Sequence, residues 1–190
     1  MSSIVVNIDV ADFNGEGLDI IGSENADILY GTNDGELIKG FAGDDYLSAS
    51  DGDDFILGSA DNDTIGGGDG DDSILGGTGG DLIFAYTGDD VVYAGDGNDI
   101  IRGDEGSDIL FGAEGKDIFV FNLENFADGS MDTVADFDID EDQISIQGLS
   151  GNNEVGYDTA TGIVSVDGEE IIKFEDPDAS VNSTEDFELL

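Results

Sequence analysis

Between Gly22 and Val120 the chain repeats one pattern of polar and apolar positions every nine residues. Cut from Gly22, this stretch gives eleven units with no insertion. The sixth place of every unit is acidic, and the eighth place is always aliphatic or Phe. The first place is always Gly or Ala, and the fourth is Gly in eight units. A fixed period of this kind predicts a stack of equivalent short elements, in which each unit contacts its neighbours.

Each unit predicts one tight turn followed by one short strand. Glycines at places one, two and four allow positive φ and a close approach of the backbone, which a tight turn requires. The last three residues are expected to be extended, so that the eighth side chain points to one face. Such a strand is too short to bury a core alone. It must stack on copies of itself, with two nine-residue units in each coil.

Stacking of the coils brings the sixth-place carboxylates close together. Because two units make one coil, Asp72 and Asp90 are expected on neighbouring turns. Two anions at that spacing repel each other or raise one pKa, and a hard divalent cation between them removes the repulsion. The turn also supplies bare carbonyl oxygens, which are calcium ligands. Mg²⁺ is disfavoured because it keeps its waters and demands a stricter octahedral geometry.

Composition limits the partners and the chemistry. Asp and Glu number 47 against 4 Lys and Arg, which gives a net charge of −43 and disfavours nucleic acid and anionic membrane surfaces. The chain has no Cys and no His, so disulfides, thiolate metal sites, zinc sites built on His and a Ser–His triad are excluded. The N-terminal stretch MSSIVVNIDVADF predicts neither a secretory signal peptide nor a membrane span.

The repeat resembles the G-G-x-G-x-D-x-U-x nonapeptide of the RTX, or haemolysin-type, calcium-binding family. The resemblance implies an all-β fold, a right-handed parallel β-roll (a β-solenoid with 18 residues per coil) that carries two rows of Ca²⁺. It implies carboxylate ligands from the sixth places, namely Asp45, Asp54, Asp63, Asp72, Asp81, Asp90, Asp99, Asp108 and Asp117. It implies carbonyl ligands from the turns around Gly58, Gly67, Gly68, Gly70, Gly76, Gly77, Gly79, Gly88, Gly95, Gly97, Gly103 and Gly106.

The implied pairs of sixth-place Asp, taken one coil apart from Asp45–Asp63 to Asp99–Asp117, suggest about seven ions. The first two units depart from the pattern, with GSEN and GTND where two or three glycines belong. Asp27 is therefore expected to be a ligand only if the atypical first unit binds Ca²⁺. The Asp27–Asp45 and Glu36–Asp54 pairs would raise the count to about nine ions.

Two segments follow the repeats. Asp132–Leu149, with D-x-V-x-D-F and then D-x-I-x-I, resembles the segment after the repeats in serralysin-type proteases. Val155–Asp176 predicts two strands joined at Asp167-Gly168, a hairpin turn signal. Residues 121–176 are thus expected to form a small antiparallel β cap, and residues 1–21 an opposite cap strand. In the tail, 177–190, the ending EDFELL is similar to the uncleaved signal of type I secretion.

These observations predict a secreted or cell-surface module that folds on binding Ca²⁺, with calcium and a type I exporter as partners and no catalytic site. Extracellular calcium modules bind at roughly 10⁻⁴–10⁻³ M, which suits folding after export. A calcium-dependent adhesive or structural protein remains an alternative, as does the C-terminal RTX part of a secreted enzyme. The serralysin H-E-x-x-H motif is missing from this sequence, whereas a two-carboxylate glycosidase is not excluded by residue type.

The outward places of alternate units are apolar and define an apolar face. They are Phe55, Val91 and Ile109 at place seven, and Leu57, Leu75, Tyr93 and Phe111 at place nine. Either the C-terminal segment or N-terminal strand covers this face, or it docks a partner or a second copy of the chain. The acids at places three and five, such as Asp53, Asp69 and Asp71, are expected to be solvated.

Overall fold

The computed structural model describes residues 19–127, 129–150, 153–158, 160–175 and 188–189. This part is almost entirely β, with one short 3₁₀ turn at Leu123–Phe126. The strands in chain order are β1 (Asp19–Ile21), β2 (Ile28–Tyr30), β3 (Leu37–Ala42), β4 (Tyr46–Asp51), β5 (Phe55–Ala60), β6 (Thr64–Asp69), β7 (Ser73–Thr78), β8 (Leu82–Thr87), β9 (Val91–Gly97), β10 (Ile100–Glu105), β11 (Ile109–Gly115), β12 (Ile118–Asn122), β13 (Asp132–Val134), β14 (Gln143–Gln147), β15 (Val155–Asp158), β16 (Ile163–Val166), β17 (Glu169–Phe174) and β18 (Glu188–Leu189).

The strands form two sheets, and successive strands alternate between them. One sheet has the order β1-β3-β5-β7-β9-β11-β13-β17-β16-β15, and the other has the order β18-β14-β12-β10-β8-β6-β4-β2. Within the repeats every pairing is parallel and joins residues 18 positions apart, as in Ile38 with Ile56 and Ile65 with Ile83. The predicted parallel β-solenoid with 18 residues per coil is confirmed.

The eighth place of each unit supplies the core between the sheets. All eleven of these side chains, from Leu29 to Phe119, are fully buried. Ala49, Ala85 and Ala94, at place one, complete the packing between them. A column of large apolar residues buried in this way provides the main hydrophobic stabilisation of the stack.

The strands are longer than the three residues that the sequence predicted, because places one to three also pair with the next coil. β7, for example, runs from Ser73 to Thr78. From the third unit onward, places two and four have positive φ, as at Gly68 (+135°) and Gly70 (+130°). Six units carry a residue other than Gly at place two with positive φ, including Phe41 (+86°) and Tyr86 (+81°), a strained conformation for a bulky residue.

The stack continues beyond the last repeat. β13 pairs in parallel with β11, and β14 pairs in parallel with β12. Parallel pairing therefore extends past residue 120, where the last nonapeptide ends. The residues of the predicted N-terminal cap that are described form β1, and those of the tail form β18; the rest of 1–21 and 177–190 lies outside the described residues.

Antiparallel strands at the C-terminal end are confirmed. β16 and β17 pair around Asp167 and Gly168, whose φ values of +55° and +86° suit a two-residue hairpin turn. The first of the two predicted strands is divided into β15 and β16, because the chain reverses at Gly162, where φ is +71°. β17 also pairs in parallel with β13, which joins the cap to the roll through one continuous sheet.

Candidate metal centre

The sixth-place acids, together with Asp132 and Asp142, form two ladders of carboxylates, one along each sheet. Ladder A contains Glu36, Asp54, Asp72, Asp90, Asp108 and Asp132, and ladder B contains Asp27, Asp45, Asp63, Asp81, Asp99, Asp117 and Asp142. Oδ1 of each upper carboxylate accepts the backbone N–H of the rung below. The N–H of Asp54 donates to Asp72 at 2.8 Å, and that of Asp72 donates to Asp90 at 2.7 Å.

The second oxygen of these carboxylates has no donor. Oδ2 is buried without a hydrogen-bond partner in ten rungs, namely Asp45, Asp54, Asp63, Asp72, Asp81, Asp90, Asp99, Asp108, Asp117 and Asp132. A buried acceptor left without a partner costs about 1–3 kcal/mol, and a charged one costs more. Five such rungs on each ladder enclose four gaps between successive coils, so a buried carboxylate oxygen without a donor recurs along the roll.

Burial raises the pKa of carboxyls in the middle of ladder A, such as Asp72 and Asp90. The pKa of Asp90 is raised to about 8, chiefly by burial. The hydrogen bond from the N–H of Asp72 lowers this pKa, and the carboxylates of Asp108 and Asp72 raise it. The pKa of Asp72 is raised to about 7, again by burial first. Without a cation these groups hold protons near neutral pH, whereas a bound cation favours their ionised form.

The oxygen atoms beside Gly58, Gly67 and Gly76 are of the kinds that Ca²⁺ accepts, a carboxylate and a carbonyl. A methyl group built on Gly76 would lie 2.5 Å from both Oδ2 of Asp81 and the carbonyl oxygen of Ala94 one coil later, so these two oxygens line one small space. No group of three or more acidic side chains converges within the part of the chain that is described. An ion there would take carboxylates from two turns and complete its shell with carbonyls, a ligand set that Ca²⁺ accepts.

The predicted carbonyl ligands divide into two groups. Those at place one, Gly58, Gly67, Gly76 and Gly103, share the position of Ala85 and Ala94, whose carbonyls were not predicted because the motif marks that place with glycine. Those at places two and four pack against the equivalent turn of the next coil: the carbonyls of Gly70 and Gly77 face Gly88 and Gly95. The first-place carbonyls are therefore the ones that lie beside the free carboxylate oxygens.

The first rung of each ladder is already satisfied within its own turn. Oδ2 of Asp27 accepts from the backbone N–H of Ser23 at 2.6 Å and from its hydroxyl at 2.9 Å. Oε2 of Glu36 accepts from the N–H of Thr32, and Oε1 accepts from its hydroxyl. The departures in the first two units thus place a donor beside each carboxylate, so Asp27 and Glu36 lack the donorless oxygen of the later rungs.

The last rung of each ladder, Asp132 or Asp142, was missed because it lies outside the nonapeptides. Asp132 follows Asp108 by 24 residues and Asp142 follows Asp117 by 25, instead of 18. A signal for both was present, since each stands two residues before a buried aliphatic residue, Val134 or Ile144. This is the Asp-x-aliphatic spacing of the repeats themselves.

Side chains at place five form a second, exposed set of links between turns. Oδ1 of Asp53 accepts the N–H of Asp71 at 3.1 Å, and Oδ1 of Asp71 accepts the N–H of Asp89 at 2.9 Å. Here each carboxylate accepts from the later coil, whereas the buried ladders accept from the earlier one. These acids are exposed, as the sequence predicted, and they also connect the turns.

The apolar face is exposed among the described residues. Leu75 is 38% exposed and Tyr93 is 46% exposed, and the ring of Tyr93 lies 5.5 Å from that of Phe111. Leu57 and Phe111 are half-buried. β13 to β17 extend the end of the stack and do not fold back over this face. Association through it stays a prediction.

Comparison with known proteins identifies the repeats. A family model described as the RTX calcium-binding nonapeptide repeat (4 copies) matches residues 21–56, 39–74, 49–83, 66–101, 75–110 and 84–119. No curated protein sequence matches the chain. The resemblance of Asp132–Leu149 to serralysin-type proteases stays a prediction. Within the described part of the chain, every helix is too short or too polar to cross a membrane.

The similar solved structures include the solution structure of the AlgE6R3 subunit from the Azotobacter vinelandii mannuronan C5-epimerase. The two are 21% identical, and the match covers 95% of this chain and 86% of that one with a TM-score of 0.24. At so low a TM-score the similarity carries no argument about this chain. The matches to the family model overlap and together span residues 21–119, just over half of the 190 residues. The chain belongs to the RTX calcium-binding nonapeptide repeat family.

Proposed function

We propose that this protein is a secreted module that binds Ca²⁺ between successive turns and folds on binding it, without catalysing a reaction. One observation carries the proposal: ten buried carboxylate oxygens without donors recur at the same place in successive turns. A hard cation in the gaps would give these oxygens the partner that the protein itself does not supply.

The ligands of each ion would be sixth-place Asp residues from two turns with carbonyls of the early places. For the gap between Asp63 and Asp81, the first-place carbonyl of Gly76 lies beside Oδ2 of Asp63. The ion would neutralise facing carboxylates and join one coil to the next. The seven pairs drawn from the repeats would take about seven ions, which would offset about 14 of the 43 net negative charges.

Folding and binding should be coupled. Each donorless buried oxygen costs about 1–3 kcal/mol, and a typical domain has a net stability of only about 5–15 kcal/mol. Several such oxygens together with the repulsion of the ladder would therefore outweigh the stability of the roll. The calcium-free chain is expected to be largely unfolded at neutral pH, and the loaded chain β-rich.

Circular dichroism of the full chain tests this coupling. In chelator at pH 7.5 the spectrum should be that of a mostly unfolded chain, and millimolar Ca²⁺ should produce a β spectrum. Mg²⁺ at the same concentration is the control and should be much less effective. The same β content in chelator and in calcium would contradict the proposal.

Calcium-dependent folding would serve a protein that is secreted. Extracellular calcium modules bind at roughly 10⁻⁴–10⁻³ M, far above the range of cytosolic sensors. The chain would stay unfolded during synthesis and fold on reaching calcium outside the cell. Cell fractionation in a host with and without a type I exporter tests this: exporter-dependent release into the medium is expected, and retention in both hosts would contradict export by this route.

The exposed apolar face favours a second candidate function, a calcium-dependent structural protein that associates with its own copies. Leu75 and Tyr93 are exposed side by side on neighbouring coils. Calcium would lower the mutual repulsion of two chains with a net charge of −43, which favours a second copy as the occupant. Light scattering in calcium should then give a dimer that Tyr93→Ser abolishes. A monomer in calcium would exclude this candidate.

A further inference from the structure

The two ladders end differently at the junction between the repeats and the C-terminal cap. Ladder A ends on Asp132 at the start of β13, and ladder B ends on Asp142 immediately before β14. Both residues lie outside the nonapeptides, and each accepts the backbone N–H of the rung below at 3.0 Å, from Asp108 or Asp117. The second carboxylate oxygen distinguishes them.

At the end of ladder A two carboxyl groups meet without a donor. Asp132 is fully buried, with 0% of its surface exposed. Its Oδ2 and that of Asp108 are both buried without a hydrogen-bond partner. The backbone N–H of Asp108 donates to Oδ1 of Asp132, which makes the two residues neighbouring rungs, and each carboxylate, when ionised, offers only acceptors. This arrangement repeats, with a longer connecting segment, the gaps between the nonapeptides.

At the end of ladder B the last carboxylate is satisfied by the protein. Oδ2 of Asp142 accepts the backbone N–H of Asp138 at 2.9 Å, and its Oδ1 accepts from Asp117. Asp142 is also only half-buried. The tight turn from Asp138 to Asp142 therefore closes this ladder with its own amide group and leaves no oxygen of Asp142 without a donor.

We propose that Asp108 and Asp132 hold one further Ca²⁺ at the junction, and that Asp117 and Asp142 hold none. The inference rests on the calcium function proposed above and extends it to a site outside the repeats. The ligand atoms are carboxylate oxygens, which suit a hard cation, and the sequence has no Cys or His that could supply a thiolate or an imidazole.

The consequence is a metal link between the roll and the cap. β13, which begins at Asp132, pairs with β17 through Asp132 and Ile172. The ring of Phe137 lies 6.1 Å from that of Phe119 in the roll and 5.1 Å from that of Phe174 in the cap. An ion at Asp132 would therefore fix the strand on which the cap is built, so that docking of the cap depends on calcium.

Calcium stoichiometry of the full chain, measured by equilibrium dialysis, tests the site with a matched pair of variants. Asp132→Asn should bind one ion fewer than the wild type, whereas Asp142→Asn should bind as many. Both substitutions keep an amide oxygen that can accept the backbone N–H of the rung below, although Asp142→Asn gives up the acceptor for the N–H of Asp138. The new amide group of Asp132→Asn can also donate to Asp108, so the variant is not expected to unfold for lack of an acceptor.

Hydrogen exchange gives a second readout. In saturating calcium, amides of β14 to β17 should exchange faster in Asp132→Asn than in Asp142→Asn, while those of β5 to β9 stay protected in both. Wild-type stoichiometry in Asp132→Asn, or an equal loss in Asp142→Asn, would overturn this inference and leave the proposed function standing. A wild-type chain that binds no calcium would instead overturn the proposed function.

A crystal of the wild-type chain grown in calcium settles the site without a variant. Anomalous scattering should place an ion between Asp108 and Asp132 and none between Asp117 and Asp142. Ions between the repeat rungs with neither end position occupied would overturn the inference, and so would occupation of both ends.

Discussion

The backbone N–H of Asp72 donates to Oδ1 of Asp90 at 2.7 Å, one coil later, while Oδ2 of Asp90 is buried without a donor. One carboxylate thus does two different things. Oδ1 links neighbouring coils through a hydrogen bond within the protein, whereas Oδ2 receives no hydrogen bond from the protein. This division explains how a single residue type at place six can serve both the fold and the proposed binding of calcium.

Acid should promote folding of the calcium-free chain. Burial raises the pKa of Asp72 to about 7 and that of Asp90 to about 8, from an ordinary value of 3.8. The folded calcium-free form therefore binds more protons than the unfolded form, and its stability falls as the pH rises from about 4 to about 8. In calcium-free buffer the β signal in circular dichroism should increase as the pH is lowered from 8 to 5.

The calcium-loaded chain is the control for this prediction. Because the bound ion favours ionised carboxylates, calcium affinity should fall as the pH is lowered, and binding near pH 7 should release protons. Calorimetry in buffers of different ionisation enthalpy measures that release. The pH titration should stop near pH 5, because the chain loses its net charge as the pH approaches its pI of about 4.1. Loss of β structure when the calcium-free chain is acidified to pH 5 would contradict the prediction that acid promotes its folding.

Removing one carboxylate from the middle of ladder A should reduce calcium binding, whereas removing its exposed neighbour should not. Asp72→Asn keeps an oxygen that accepts the N–H of Asp54 but removes the charge that faces two gaps. Asp71→Asn keeps the acceptor for the N–H of Asp89 on the exposed side of the same turn. Equilibrium dialysis should show fewer ions in Asp72→Asn and wild-type binding in Asp71→Asn.

Adjacent residues of β7 should differ in their effect on stability. Ile74 is fully buried in the column of eighth-place residues, whereas Leu75 is 38% exposed. Ile74→Ala should lower the stability of the calcium-loaded chain by about 2–5 kcal/mol, because it leaves a cavity in a packed core. Leu75→Ala should change it by about 0.5 kcal/mol or less. Chemical denaturation in saturating calcium measures both, and equal losses would contradict the proposed packing.

A turn glycine should be less tolerant of substitution than a loop glycine. Gly70 has a φ of +130°, and a Cβ there would lie 2.6 Å from the carbonyl carbon of Gly52. Gly129 has a φ of +86° with nothing within 4 Å of a Cβ. Gly129→Ala should cost about 1–2 kcal/mol from backbone strain alone. Gly70→Ala should cost more, measured as a shift of the calcium midpoint, because the coils must also move apart.

The repeat itself was open to prediction from the sequence. The eighth-place residues predicted the core, and the sixth-place acids predicted the ladders, because each repeats one local relationship along the stack. The same reasoning placed the hairpin turn at Asp167 and Gly168, where the residue types favour positive φ. It did not give the hydrogen bonds of Asp53 and Asp71, since alternation alone does not say that an exposed side chain reaches the next turn.

The sequence by itself determined the period, the buried column and the residue type that faces each gap, because these follow from contacts that every coil repeats. Only the tertiary structure decided where the ladders begin and end. Ser23 closes one first rung, and Asp132 and Asp142 continue the ladders after 24 and 25 residues. Those contacts depend on how a segment without the nine-residue period returns to the stack. Its return is fixed by long-range packing, such as that of Phe137 on Phe119, and no local pattern encodes it.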